Sequence, residues 1–142
     1  MSWTQSELDA LKRAYASGTL RVSYDGKSVD YRSVAEIDRA IEAVDRDIAA
    51  AEAAFAKGVE MMKSGDYDLI VMDEINIALR YDYLSVTDVI AGLEARDKRT
   101  GVILTGRDAK PELCEFADLV TEMTEIKHPF HNGIKAQRGV DF

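Results

Sequence analysis

The apolar positions at the start of the chain predict a helix followed by a β-hairpin. Thr4 and Glu7 have the T-x-x-E spacing of a capping box, and apolar residues then recur at helical intervals up to Gly18. Two short runs with alternating apolar residues flank Asp25-Gly26. Both residues of that dipeptide accept a positive φ, so the pattern predicts a tight hairpin turn.

A long apolar stripe predicts the next element. Ser33 and Glu36 form a second capping box, and apolar residues follow at alternating spacings of four and three. This pattern predicts one helix over about 33–63. The character of the sequence changes within it, near 49–54, which predicts a boundary between a first unit, 1–50, and a second unit, 51–142.

The second unit alternates apolar runs with helical patterns. The apolar runs are 69–72, 102–104 and 119–120, and the helical patterns are 85–96 and 108–116. The order strand–helix–strand–helix–strand predicts a three-stranded parallel βαβαβ sheet with right-handed crossovers. The predicted fold class is therefore α/β, with an α+β helix–hairpin–helix part at the beginning.

Composition excludes several kinds of partner and site. The net charge of −8 argues against nucleic acid as a partner, because phosphate backbones require clustered Lys and Arg. No apolar run approaches the ~20 residues that span a bilayer, so no membrane association is expected. Cys114 is the only cysteine, which excludes an intramolecular disulfide and disfavours a thiolate zinc site. The first residues do not resemble a signal peptide, so a cytoplasmic location is predicted.

Two short polar segments follow predicted strands and are candidates for ligand binding. Asp73-Glu74 ends the first strand, and adjacent carboxylates at a strand end suit Mg²⁺ bound to nucleotide phosphates. The alternative is strand-end solvation with a helix cap. Thr105-Gly106-Arg107 ends the second strand, where glycine permits close approach and arginine suits phosphate. The alternative there is a turn with a surface arginine.

Two other motifs carry less information. Lys127 and His128 lie in an irregular tail, where periodicity gives them no role. Gly26-Lys27-Ser28 imitates the end of a phosphate-binding loop, but the complete motif needs a glycine where Arg21 stands. Because this segment is also the predicted hairpin turn, a phosphate-loop role is rejected.

Five blocks of the second unit resemble the ATP:corrinoid adenosyltransferases of the P-loop type. Together they extend over roughly the last three-fifths of the chain, from about residue 54 to 142. The blocks are Tyr67–Leu84, Leu104–Arg107, Ala117–Met123, Lys127–Phe130 and Gly133–Val140.

The resemblance implies transfer of the 5′-deoxyadenosyl group of ATP to the cobalt of a reduced corrinoid. It implies that Glu74, with Asp73 beside it, lies at the Mg²⁺–triphosphate site, and that Thr105, Gly106 and Arg107 border the nucleotide. It also implies that Lys127, His128 and the tail help to cover the active site. ATP, Mg²⁺ and a corrinoid are thus the implied ligands.

Some parts of the family pattern are not found in this sequence. The family's phosphate loop and the aromatic segment that contacts the corrin both lie upstream of the matching blocks, and neither occurs here. We therefore expect no ligand for this chain alone and no full catalytic activity, unless a partner supplies the loop.

The first unit resembles a different family. Residues 9–14 and 21–33 resemble the small W-type head–tail joining protein of tailed phages, a helix–hairpin–helix module. Three hypotheses follow: an adenosyltransferase, a structural module of phage type, and a fusion of the two kinds of segment. The fusion is favoured because the apolar stripe crosses the boundary almost unbroken. Without the family's central strand, we expect a rearranged sheet or a homodimer through an exposed sheet edge.

Overall fold

The computed structural model describes residues 4–133. Their elements, in chain order, are α1 Gln5–Ser17, β1 Arg21–Tyr24, β2 Lys27–Asp30, α2 Val34–Ser64, β3 Leu69–Met72, α3 Ile75–Arg80, α4 Val86–Glu94, β4 Gly101–Leu104, α5 Pro111–Phe116 and a 3-10 turn, Pro129–Asn132. The mixed helices and strands, with one parallel strand pair, confirm the predicted α/β class.

The capping box and the hairpin are present as predicted. The Thr4 hydroxyl accepts from the Glu7 backbone N–H at 3.2 Å, and the Glu7 carboxylate accepts from the Thr4 N–H at 2.7 Å. β1 pairs antiparallel with β2, and the turn between them is Asp25-Gly26, with φ of 47° and 74°. Positive φ at both turn residues is the backbone conformation that this dipeptide accepts.

Helix α2 contributes to two separate hydrophobic clusters. Its first half packs through Ile37 and Val44 against α1 and β1, with Ile48 at the edge of that cluster. Its second half, from Phe55 to Met62, packs against the β3–β4 region and the helices around it. The change of packing partner thus falls between Ile48 and Phe55. The division into units at residue 50 remains a prediction.

The second cluster lies on one face of a short parallel sheet. β3 and β4 pair in the register Leu69↔Gly101 to Met72↔Leu104. Alternate residues of these strands, such as Ile70, pack against the helices. The opposite face is open to solvent, with Leu69 at 55%, Val71 at 54% and Ile103 at 47% exposure.

The predicted third strand is wrong within the described residues. Leu119 and Val120 form no ladder, and their exposures are 82% and 56%. The apolar run is only two residues long and is followed by Thr121-Glu122, so it has little apolar surface to bury in exchange for ordering the backbone. The parallel sheet therefore has two strands in the region that the structure describes.

Helix α3 is an element that the sequence analysis did not predict. Its six residues follow β3 directly and bury Ile75, Asn76 and Leu79. Across residues 4–133, no helix has both the length and the apolar composition needed to cross a membrane.

Candidate functional site

The parallel pairing of β3 and β4 brings the two predicted polar segments together. The ladder continues past the strands, since the Thr105 N–H donates to the Met72 carbonyl at 3.2 Å. The Thr105 hydroxyl donates to Asp73 Oδ1 at 2.6 Å and accepts from the Glu74 N–H at 2.9 Å. One side chain thus links both acidic residues at the carboxyl end of the sheet.

Glu74 has an unusual backbone conformation at this point. Its φ of 58° and ψ of 19° lie in the left-handed region, which costs a residue with a Cβ roughly 1–2 kcal/mol. Glu74 precedes α3, and its carbonyl accepts from the Ile77 N–H at 2.9 Å. Its side chain makes no capping hydrogen bond and is exposed. The strained turn therefore leaves the Glu74 carboxylate facing solvent beside Asp73, and such strain is concentrated at functional sites.

Gly106 allows the second segment to lie against the first. Its φ is 121°, and a Cβ built on it would lie 2.9 Å from the Asn76 Cβ and 3.4 Å from the Glu74 Cα. Ordinary carbon–carbon contacts are about 3.5–4.0 Å, so only glycine fits without displacement. The sequence predicted the approach of a ligand to the backbone at Gly106, whereas the groups that lie close to Gly106 in the structure are Asn76 and Glu74 of this chain.

Asn76 is a site residue that the sequence analysis missed. Its backbone N–H donates to the Thr105 carbonyl at 3.2 Å, and its Nδ2 donates to the Gly106 carbonyl at 3.2 Å. The residue is 5% exposed, and its Oδ1 has no hydrogen-bond partner within the described residues. The signal in the sequence was a lone amide between Ile75 and Ile77, directly after the acidic pair.

The remaining predicted residues lie around this centre or apart from it. Arg107 is exposed next to Gly106, and Asp108 after it pairs with Arg80 at 2.8 Å. Lys127 and His128 lie in the exposed segment before the 3-10 turn.

Two contacts in that later segment join residues close in the sequence. The His128 ring meets the His131 ring edge-on at 6.2 Å, and His131 Nε2 lies 2.7 Å from Glu125 Oε1. In contrast, Asp73, Glu74 and Thr105 are joined by direct hydrogen bonds. The part of the predicted tail from 134 onwards lies outside the described residues.

The donor set at the sheet end fits a magnesium ion that also binds phosphate. Within residues 4–133, no cluster of three or more His, Cys, Asp or Glu side chains is arranged to hold a metal. Mg²⁺ does not require such a cage, because it usually keeps several waters and takes one or two carboxylates together with substrate phosphates. Asp73 keeps one carboxylate oxygen outside its bond to Thr105, and the Glu74 carboxylate is exposed.

Comparison of the sequence with known proteins identifies the family of this chain. A family model described as ATP:corrinoid adenosyltransferase BtuR/CobO/CobP matches residues 2–142. A corrinoid adenosyltransferase of a Sinorhizobium species is 54% identical over 98 residues, which are 68% of this chain and 46% of that protein.

Two further relatives agree. The corrinoid adenosyltransferase of Pseudomonas aeruginosa is 48% identical over 97 residues, which are 68% of this chain and 48% of that protein. The corrinoid adenosyltransferase CobA of Salmonella typhimurium is 38% identical over 96 residues, or 68% and 49% of the two chains. The matched region thus covers about half the length of each relative. The extent of the family match and the identities together show that this chain belongs to the ATP:corrinoid adenosyltransferase family.

Proposed function

We propose that this chain supplies the carboxylate side of a corrinoid adenosyltransferase active site. In the proposed site, Asp73 and Glu74 hold Mg²⁺ bound to the triphosphate of ATP. The observation that carries the proposal is the link through Thr105, which fixes both acidic residues at the end of two parallel strands and leaves carboxylate oxygens open. Ligands of open α/β sheets bind at this end of the strands.

Each residue of the proposed site has a role that follows from its position. Thr105 orients Asp73 by donating to one oxygen, which directs the other toward a ligand. The left-handed turn at Glu74 presents the second carboxylate. Arg107 is an exposed cation next to the Gly106 loop, and its planar guanidinium suits a phosphate oxygen pair. When bound, Mg²⁺ neutralises charge on the triphosphate that leaves as the adenosyl group moves to cobalt.

The phosphate cradle is proposed to come from outside this chain. The only Gly-Lys-Ser sequence is Gly26-Lys27-Ser28. In the structure it is the turn of the hairpin and the start of β2, which confirms that it is no strand-to-helix phosphate loop. Backbone N–H groups of such a loop hold phosphates in P-loop proteins. We therefore expect this chain alone to bind Mg–ATP weakly and not to transfer the adenosyl group.

A second candidate function concerns the first unit. The observation in its favour is the helix–hairpin–helix formed by α1, β1, β2 and α2, which agrees in topology with the phage head–tail joining module. The comparisons do not support the phage assignment, since the adenosyltransferase family model begins at residue 2. The origin of the chain as a fusion likewise remains a proposal, supported by the two clusters along α2.

Calorimetric titration with Mg–ATP tests the proposed site. We expect measurable binding that disappears when Mg²⁺ is withdrawn and that weakens at least tenfold in Glu74→Gln. Glu52→Gln is the matched control, because it removes the same charge from an exposed position on α2. Equal weakening in both variants would mean that general charge, and not the Glu74 carboxylate, controls binding.

A further inference from the structure

A cleft separates the outer edge of β4 from the extended segment that follows α5. All four residues of β4, 101–104, line it on one side, and residues 117–120 line it on the other. Successive side chains of a strand point to opposite faces of a sheet, so a wall that includes all four residues runs along the strand edge. Residues 117–120 form neither helix nor strand, and the backbone of Ala117 is extended, with φ −70° and ψ 142°.

The edge of β4 that faces this cleft carries backbone groups without a neighbouring strand. The N–H groups of Gly101 and Thr105 donate to carbonyls on or next to β3. In a parallel ladder the two backbone groups of a residue point to the same side and successive residues alternate, so Val102 and Leu104 direct theirs toward the cleft. No strand pairs with this edge within residues 4–133. Such an edge is a template for a further strand.

The cleft has the size of one short strand. Neighbouring strands lie about 4.8 Å apart, packed layers about 10 Å apart, and each residue rises about 3.3 Å, so four residues of a strand occupy roughly 600 Å³. The volume of the cleft is about 650 Å³. Leu119 and Val120 beside it are 82% and 56% exposed, and this apolar surface would be covered by an added strand.

We propose that a β-strand of a partner polypeptide inserts into this cleft, parallel to β4, and carries a phosphate-binding loop at its carboxyl end. The inference rests on the proposed function, in which the phosphate cradle comes from outside this chain. Loops of the form G-x-x-x-x-G-K-[ST] follow directly after a strand, and the carboxyl ends of parallel strands meet at one edge of the sheet. A parallel strand therefore delivers its loop to Asp73 and Glu74.

Two further observations favour this occupant. The lysine of such a loop is opposite in charge to the exposed carboxylates of Asp73 and Glu74. The matched region covers 46% and 48% of two of the relatives, so each contains about as much chain again, which is long enough for a strand and a loop. Addition of a strand to a free sheet edge is a common mode of peptide recognition.

Amide hydrogen exchange, resolved by residue with NMR, tests the insertion in the unmodified chain. The probe is a synthetic peptide in which Val-Thr-Val-Val-Val precedes Gly-Ser-Asn-Gly-Ser-Gly-Lys-Thr. We expect saturating peptide to slow exchange at Val102 and Leu104 about tenfold or more, whereas Gly101, already bonded beside β3, should change little. A peptide with five N-methylated strand residues cannot donate to either wall and should protect neither amide. Equal exchange with and without the unmethylated peptide would overturn the proposal.

The same measurement separates the partner strand from a second copy of this chain. If a second copy filled the cleft, the amides of Val102 and Leu104 would be protected without peptide and would lose that protection on dilution. This result would overturn the proposal of a partner strand.

A pair of exposed residues provides matched variants for the opposite wall. Leu119 lines the cleft and is 82% exposed, whereas Ile126 is 92% exposed and is not among the lining residues. We expect Leu119→Asp to weaken peptide binding at least fivefold and Ile126→Asp to leave it unchanged, with equal urea midpoints for both variants. Equal peptide binding by the two variants would contradict the placement of the strand beside residues 117–120.

Order of the peptide segments tests the direction of the strand and keeps the two proposals separable. The peptide with the loop after the strand should tighten binding of Mg–tripolyphosphate at least tenfold, whereas the peptide with the loop before the strand should not. If Val102 and Leu104 are protected but Glu74→Gln leaves Mg–tripolyphosphate binding unchanged, the strand proposal stands and the carboxylate proposal fails. If Mg–ATP binds through Glu74 but no peptide protects these amides, the carboxylate proposal stands and the strand proposal fails.

Discussion

Replacement of Gly106 by alanine is the sharpest test of how the two strand-end segments fit together. The added Cβ would lie 2.9 Å from the Asn76 Cβ and 3.3 Å from the Asn76 backbone nitrogen. Neither atom can rotate away, because one is backbone and the other is attached directly to it. Overpacking of this kind costs about 1–3 kcal/mol, and a residue with a Cβ at φ of 121° adds about 1–3 kcal/mol. The expected loss in free energy of unfolding is therefore about 2–6 kcal/mol.

Urea unfolding followed by circular dichroism measures this loss, with Gly18→Ala as the matched control. Gly18 also has a positive φ, 70°, but nothing lies within 4 Å of its added Cβ. Its substitution should cost only the left-handed conformation, roughly 1–2 kcal/mol. If Gly106→Ala lost no more stability than Gly18→Ala, the close packing of Gly106 on Asn76 would be refuted.

Three further predictions concern the rest of the molecule. The hydrogen bond to Glu7 raises the pKa of Tyr24 to about 12. This hydrogen bond therefore stabilises the fold fully below pH 10, and its contribution is lost as the pH rises from 10 to 12. In an ultraviolet titration, Glu7→Gln should lower the pKa of Tyr24 toward 10. Ile37 and Met62 belong to separate clusters, and replacing either by alanine should lower the free energy of unfolding by about 2–5 kcal/mol. In urea unfolding, the loss in the double variant should equal the sum of the two single losses within about 0.5 kcal/mol, whereas a larger deviation would contradict two separate clusters. The exposed apolar face of the sheet, with Val71 at its centre, is a second surface besides the sheet edge through which a homodimer can form, so sedimentation equilibrium should show a dimer that Val71→Lys converts to monomer; a monomeric unmodified chain would contradict this.

Local signals in the sequence were enough to predict the first part of the fold. The capping box at Thr4 and the turn at Asp25-Gly26 depend on hydrogen bonds and φ values that a few neighbouring residues determine. The stripe of α2 was visible for the same reason, since one helix face repeats along the sequence. Asp73-Glu74 and Thr105-Gly106 were predictable as neighbours because parallel strands end at the same edge.

Features that depend on distant residues were not predictable. Leu119 and Val120 are exposed because no other element of the described residues packs against them to form a third strand, and the periodicity of a sequence does not show which distant elements pack together. Asn76 carried little signal of a role in the sequence, because its hydrogen bonds are to the carbonyls of Thr105 and Gly106, about thirty residues away. The orphaned Oδ1 and the cleft beside it exist only once β4 and α5 are in place.

Assay of adenosyl transfer tests the central claim most directly. The purified chain is mixed with reduced corrinoid, ATP and Mg²⁺, and formation of the cobalt–carbon bond is followed by absorbance. With the carboxylates of Asp73 and Glu74 present but the phosphate cradle supplied from elsewhere, product should form no faster than without protein, although calorimetry detects Mg–ATP binding. Sustained turnover by these 142 residues alone would contradict the claim.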